Sequence, residues 1–255
     1  MTTDQFLNLI PALMLAVAAG MVGVFALLRR MSLAADAMSH IALPGLGIAI
    51  LYGINPLVGG AATLAAGAVF IWAIERKTAI PTETIIGVIF SISLAVGSLL
   101  TPEEELIEAL FGGFAEFTPL TFALALLLAF IVIGTVLFFK HKFIIQMISN
   151  DLAHVTGLRS NRLNLVFLLI FALAIILGLK FLGVLLMGSL IIIPAAAAKN
   201  IGWNIGSMLA ISSAIAVVSV LGGYAVAVSY GLSLGPVIVS LAGAVFLLSL
   251  FVRRK

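Results

Sequence analysis

Cysteine is absent from the chain, so disulfides and thiolate metal sites are both excluded. Charge is scarce as well: Asp, Glu, Lys and Arg make up 9% of the residues, too few to solvate the surface of a water-soluble domain of this length. No G-x-x-x-x-G-K-[ST] loop occurs, so ATP cannot be bound in the P-loop manner. H-E-x-x-H, G-x-S-x-G and a membrane aspartyl arrangement are missing too, which argues against an intramembrane hydrolase. Carriers driven by their own ion gradient often hold several buried carboxylates, whereas Asp36 is the only one here clearly inside an apolar run. A permease driven by something else is the better fit.

What is present is apolar. Hydrophobic residues make up 63% of the chain and the mean hydropathy is +1.32, which marks an integral membrane protein. The apolar residues come in long blocks and not in the period-two alternation of an outer-membrane barrel, so the expected class is all-α, a polytopic helix bundle. Candidate spans fall at residues 9–28, 33–51, 56–74, 84–101, 118–139, 163–179, 182–198, 204–229 and 234–251. That makes nine, with the sixth and seventh least clearly separated; an eight-span alternative would make one segment re-entrant. No polar stretch is long enough for a second domain, so residues 1–255 are expected to form one transmembrane domain. The N-terminal MTTDQFLNLIPALMLAV has an acidic residue and no basic n-region, so its apolar block is expected to be a retained span.

With the N-terminus outside and the C-terminus inside, twelve of the 13 basic residues face the cytoplasm and only Lys180 lies outside. The positive-inside rule therefore favours this orientation in the cell membrane. The outer segment Pro102 to Phe117 becomes an acidic loop, which either is merely solvated or attracts cations and docks a delivery protein. The inner segment 140–164 reads KHKFIIQMISNDLAHVTGLRSNRLN. Ser149 or Asn150 can cap a short helix through Asp151, Leu152, Ala153 and His154 to Thr156, and Gly157 can stop it. Such a helix either docks a partner or merely connects. His141 and His154 read as surface residues.

The chemistry concentrates in the second span. Asp36 and His40 are four residues apart, so a helix stacks carboxylate and imidazole on one face. His40 lies roughly 15 Å beyond Arg30, near the midplane of a core about 30 Å thick. Ionisable groups at that depth are costly and usually functional, and Asp with His is a ligand set for a first-row divalent metal. Pro44 cannot give an amide hydrogen to the carbonyl of His40, so a kink is expected there, and Gly45 and Gly47 allow a second backbone to approach. Transporters build midplane ion sites from such interrupted helices. The plain alternative is that Asp36 and His40 satisfy each other, or Ser39 and Thr63, as structural glue. Two ligands are too few for tight structural zinc but suit a transient site, completed by water or by the same pair from a second subunit. Pro194, in GVLLMGSLIIIPAAAAK, is a second expected kink, serving either packing or gating.

These residues resemble a known family. The run MSLAADAMSHIALPGLGIAILYGINPLVG is similar to the signature that follows the first span in membrane permeases of bacterial and archaeal ABC importers for zinc, manganese and iron. ETIIGVIFSISLAVG, DLAHVTGLRSNRLNLVFLLI, GVLLMGSLIIIPAAAA and GPVIVSLAGAVFLLSL resemble further blocks of that family in the same order, so the resemblance spans nearly the whole chain. It implies a permease that works as a pair of membrane subunits, identical or closely paralogous. Two ABC ATPase subunits bind on the cytoplasmic side, and an extracellular or periplasmic metal-binding protein feeds the pair. Asp36 and His40 would then lie on the metal path, and Asp151 to Gly157 would form the coupling segment for the ATPase. No permanently bound cofactor is expected, only the transported ion. Membrane lipid is the expected surround, and nucleic acid is not expected as a partner. The acidic loop is not assigned by the family pattern. The alternative is a secondary cation transporter acting without an ATPase.

Overall fold

The computed structural model describes residues 3–78, 80–101 and 119–252. The acidic loop Pro102 to Phe117 and the basic residues 253–255 lie outside the described residues. Every described element is a helix: α1 Thr3–Leu28, α2 Ala34–His40, α3 Leu43–Leu51, α4 Pro56–Lys77, α5 Thr82–Leu100, α6 Pro119–Ile148, α7 Asn150–Val155, α8 Ser160–Ile201, α9 Ile205–Tyr230 and α10 Leu234–Phe251.

Local chemistry sets most helix ends. The Asn55 side chain caps α4 by accepting from the Leu57 amide, with Pro56 at the first helical position. Asn204 and Ser207 form a capping box at the start of α9, and Gly231, at φ 63°, ends that helix in the left-handed region. The α1 terminus is less ordinary. The Met31 amide donates to Ala26 and the Arg30 amide to Leu27, a Schellman pairing whose left-handed position is occupied by Arg30 at φ 61°. Glycine is usual there, and a side-chain-bearing residue costs about 1 kcal/mol.

Among the described residues, eight helices are long and apolar enough to cross a membrane. The second of these crossings, Ala34–Leu51, comprises α2 and α3. The expected sixth and seventh spans both fall within α8, a single run of 42 helical residues. A straight helix of that length would extend about 63 Å, twice the hydrocarbon thickness. It is not straight: a Cβ on Gly178 would collide with the Met187 side chain, and a straight helix holds residues nine apart about 13 Å from each other. The run is therefore bent between Gly178 and Met187. Within it lie one full-length candidate crossing, Ser160–Leu179, and the apolar stretch Met187–Ile201. Among the described residues, the nine expected spans correspond to eight candidate crossings and this further apolar stretch.

α8 is the centre of the bundle, packing on α1, α2, α4, α6, α9 and α10. Phe25, Phe143, Phe167 and Phe171 are fully buried and join α1, α6 and α8 through successive ring contacts at 5.5, 5.9 and 5.7 Å. The outer face of α6 exposes Leu120, Leu124, Leu127, Phe130 and Phe138, as a helix facing hydrocarbon does.

Candidate metal site

Asp36 and His40 lie on α2 with the spacing the sequence led one to expect, but they do not bond through the carboxylate. The Nδ1 of His40 lies 2.9 Å from the backbone carbonyl of Asp36, and the Ser39 hydroxyl donates to the same oxygen at 2.6 Å. A carbonyl can only accept, so Nδ1 must carry the hydrogen. In the neutral ring Nε2 then keeps a free lone pair, the arrangement in which imidazole ligates a metal. His40 is 7% exposed, and the Phe90 ring of α5 sits edge-on to it at 5.3 Å and 81°. The carboxylate of Asp36 makes no hydrogen bond or ion pair among the described residues, and its residue is exposed. The contact that holds His40 is thus made by the backbone of Asp36 and not by its carboxylate.

The span breaks just beyond His40. Ile41 and Ala42 form a tight turn, their amides donating to Met38 at 3.0 Å and Ser39 at 3.3 Å. Pro44 lies in the first turn of α3 and has no N–H to offer the His40 carbonyl. The chain thus passes from α2 to α3 through one tight turn, in which Ile41 and Ala42 keep right-handed helical dihedrals. Thr63 of α4 does not reach Asp36 or His40; its hydroxyl lies 3.1 Å from the Gly59 and Gly60 carbonyls and 3.4 Å from that of Ala42. Gly45 and Gly59 make the α3–α4 crossing, each leaving room for the other's carbonyl oxygen where a Cβ would collide.

The second half of α8 supports the site from behind. A Cβ on Gly188 would lie 2.7 Å from the Cα and amide nitrogen of Asp36, so this glycine lets α8 press directly on the backbone that carries the carboxylate. On the α1 side, Gly23 leaves room for the Ile191 carbonyl. Pro194 lies inside α8, removing the amide partner of the Leu190 carbonyl, and Ala195, Ala197 and Ala198 are fully buried beside it. Among the described residues no group of three or more His, Asp or Glu could hold an ion.

The short helix of the 140–164 segment is α7. The Leu152 amide reaches the Ser149 hydroxyl at 3.3 Å, so Ser149 is the cap. Gly157 takes φ 73° while Leu158 donates to Ala153 at 2.8 Å, closing the helix as its sequence suggested. Ala153 is buried, while Leu152 and Val155 are 43% and 87% exposed, an apolar pair directed outward. Asp151 and His154 lie on the α7 backbone, but their side chains fall outside what is described. His141 is exposed, as expected.

Arg29, read from the sequence only as a topological marker, organises the basic end of the bundle. Its Nη1 donates to Asn164 Oδ1 at 2.7 Å and its Nη2 to Gln146 Oε1 at 2.9 Å. The guanidinium lies 4.2 Å from the Phe167 ring centre and 5.3 Å from that of Phe143. Glu75 accepts from Thr82 at 2.6 Å and from the Asn164 amide. Burial pushes the Arg29 pKa down to about 10, against the opposing pull of Glu75, so Arg29 remains charged at neutral pH. Gln146 also donates to the Ser160 carbonyl at 3.1 Å, and Trp72 to that of Asn161 at 2.7 Å. These bonds tie the ends of α1, α4, α5, α6 and α8 around a cavity of about 860 Å3. Phe90 and this cluster were missed in the sequence, because no local pattern distinguishes them from ordinary helix residues.

Comparison with known proteins adds the following. Residues 5–253 match the model of the ABC 3 transport family. The chain is 29% identical to the high-affinity zinc uptake system membrane protein ZnuB of Haemophilus influenzae, over 98% of this chain and 100% of that protein. It is 28% identical to the manganese transport system membrane protein MntC of Listeria monocytogenes, over 97% of this chain and 90% of that one. The solved structure of PsaBC from Streptococcus pneumoniae in complex with Fab contains a chain that superposes with a TM-score of 0.86 at 26% identity, covering 100% of this chain and 94% of its own length.

Proposed function

The chain belongs to the ABC 3 transport family, and from that premise we propose that it is the membrane permease of an ATP-driven importer that brings zinc, manganese or iron into the cytoplasm. It is a multi-pass membrane subunit of one domain, and hydrolysis of ATP belongs to a separate subunit. Two copies, or this chain and a close paralogue, pair in the membrane with the N-terminus outside. Two ATPase subunits attach below, and a metal-binding protein delivers the ion from outside.

The observation that carries the metal reading is the state of the pair in α2. His40 has its proton fixed on Nδ1 by the Asp36 carbonyl, and one turn away stands a carboxylate with no partner among the described residues. An imidazole nitrogen and a carboxylate oxygen suit a borderline divalent ion. Two protein ligands hold it loosely enough to release, with water or the second subunit's pair completing the shell. The tight turn at Ile41 and Ala42, with Pro44 and Gly45 beyond it and Pro194 in α8, supplies the points at which access can alternate. ATP binding moves α7 through its Leu152 and Val155 face, and the ion passes to the inside as the favoured conformation changes.

The test is uptake of radioactive zinc and manganese into proteoliposomes holding the chain with its ATPase and binding protein, with and without ATP, for the wild type and His40→Ala. ATP-dependent uptake of one metal, lost in the variant, is the expected result. Uptake that needs no ATP and follows an imposed ion gradient would make the chain a secondary carrier and reject the proposal.

A further inference from the structure

The cavity beside Arg29 has no part in the ion path proposed above, and its lining has a chemistry of its own. Three guanidinium groups, those of Arg29, Arg30 and Arg76, border a space of about 860 Å3. Two helix N-termini open on it, α5 at Thr82 and α8 at Ser160. Neither has a side-chain cap, because the residues before them are Pro81 and Arg159. Their first amides are therefore left for an outside acceptor, at the positive ends of two helix dipoles.

Of the two carboxylates on the lining, Glu75 is engaged by Thr82, Asn164 and the field of Arg29. Glu83 alone remains to balance Arg30 and Arg76. Arg29 Nε and Ser160 Oγ are buried and without a hydrogen-bond partner among the described residues, a condition that folded interiors seldom tolerate. Arg30 adds an independent sign. It occupies the left-handed position of a Schellman turn that glycine would fill without strain, and strain of this kind collects where a side chain has a task.

We propose that this cavity binds a phosphate group, supplied by the headgroup of an anionic lipid in the adjacent leaflet. The chemistry required is that of a phosphate anion; the surroundings favour a lipid as its source. The cavity lies at the ends of membrane-crossing helices, where basic pockets between helices take lipid headgroups. Trp72, an aromatic of the interfacial kind, lies under the Arg76 guanidinium at 5.6 Å. Leu28, Met31 and Met147 give the cavity an apolar wall. The bound phosphate would lie between Gln146 and Ser160, on the two chain segments that flank α7.

The experiment is thermal unfolding of the purified full chain in phosphatidylcholine nanodiscs, with added phosphatidylglycerol in one arm and inorganic phosphate in another. At tenfold excess over its Kd, phosphatidylglycerol should raise the Tm by about 3 °C. Arg30→Gly and Arg76→Gln should each remove most of that rise. Arg30→Gly cannot fail by misfolding, since it relieves strain and should raise the Tm in phosphatidylcholine alone. A rise with the lipid and none with inorganic phosphate supports the proposal. An equal rise with inorganic phosphate, lost in the variants, would reassign the cavity to a free anion and reject the lipid. Equal lipid shifts in wild type and variants would reject the site. Variants that keep the lipid shift but lose capture of an ATPase subunit would make the arginines a protein interface and likewise overturn the proposal.

Discussion

Replacing Gly188 by alanine asks whether α8 holds the ion site in register. The new Cβ would stand 2.7 Å from the Cα and amide nitrogen of Asp36 and 3.1 Å from the carbonyl carbon of Ala35. Ordinary contact begins at 3.4 Å, so one of the two helices must move by about 0.7 Å. All three obstructing atoms are backbone, and no rotamer change relieves them. Adding a methyl group to a filled interior costs about 1–3 kcal/mol. Taken up by displacing α2, that energy falls on the geometry of Asp36 and His40 and weakens the ion-bound state by about 5- to 150-fold. The assay is metal uptake against ion concentration in proteoliposomes, with the amount of assembled complex measured beside it. Gly134→Ala is the control, since nothing lies within 4 Å of the Cβ it would add. A Gly188→Ala chain that assembles normally and keeps both the wild-type KM and rate would refute the claim that α8 positions the site.

Three further outcomes are expected. Asp36→Ala and His40→Ala should each abolish uptake while leaving the complex assembled, and uptake at wild-type rates in either would remove these residues from the ion path. Gly157→Pro forbids φ 73° at the end of α7, so ATP hydrolysis should lose its stimulation by transport; unchanged coupling in a flux-against-ATPase comparison would reject the role of α7. Gly178→Ala sets its new Cβ against the flexible end of the Met187 side chain, so it should destabilise the chain by about 1 kcal/mol, and that increment should vanish in a Met187→Ala background. Additive effects in a thermal unfolding cycle would show that the two residues do not meet.

The sequence alone determined the elements whose causes are local. Apolar block length set the crossing helices, and Asp36 and His40 stood out because ionisable residues are rare in such blocks. Pro44, Ser149 and Gly157 announced a break, a cap and a stop, since each acts on a backbone within four residues of itself. The family signature is of the same kind, a set of blocks read along the chain.

Tertiary structure decided what depends on contacts across the chain. The Arg29 cluster joins residues 117 and 135 positions apart, and no periodicity links Arg29 to Gln146 or Asn164. Phe90 reaches His40 only because α5 and α2 pack together. The bend of α8 rests on Gly178 meeting Met187, in a stretch whose apolar run gave no clear boundary between two spans. The state of Asp36 and His40 was decided in the same way. Spacing placed the two side chains on one face, but only the coordinates show that the ring bonds the carbonyl and leaves the carboxylate unengaged. Hydropathy and backbone chemistry can be read along a chain, whereas packing and long-range hydrogen bonds exist only once distant segments have been brought together.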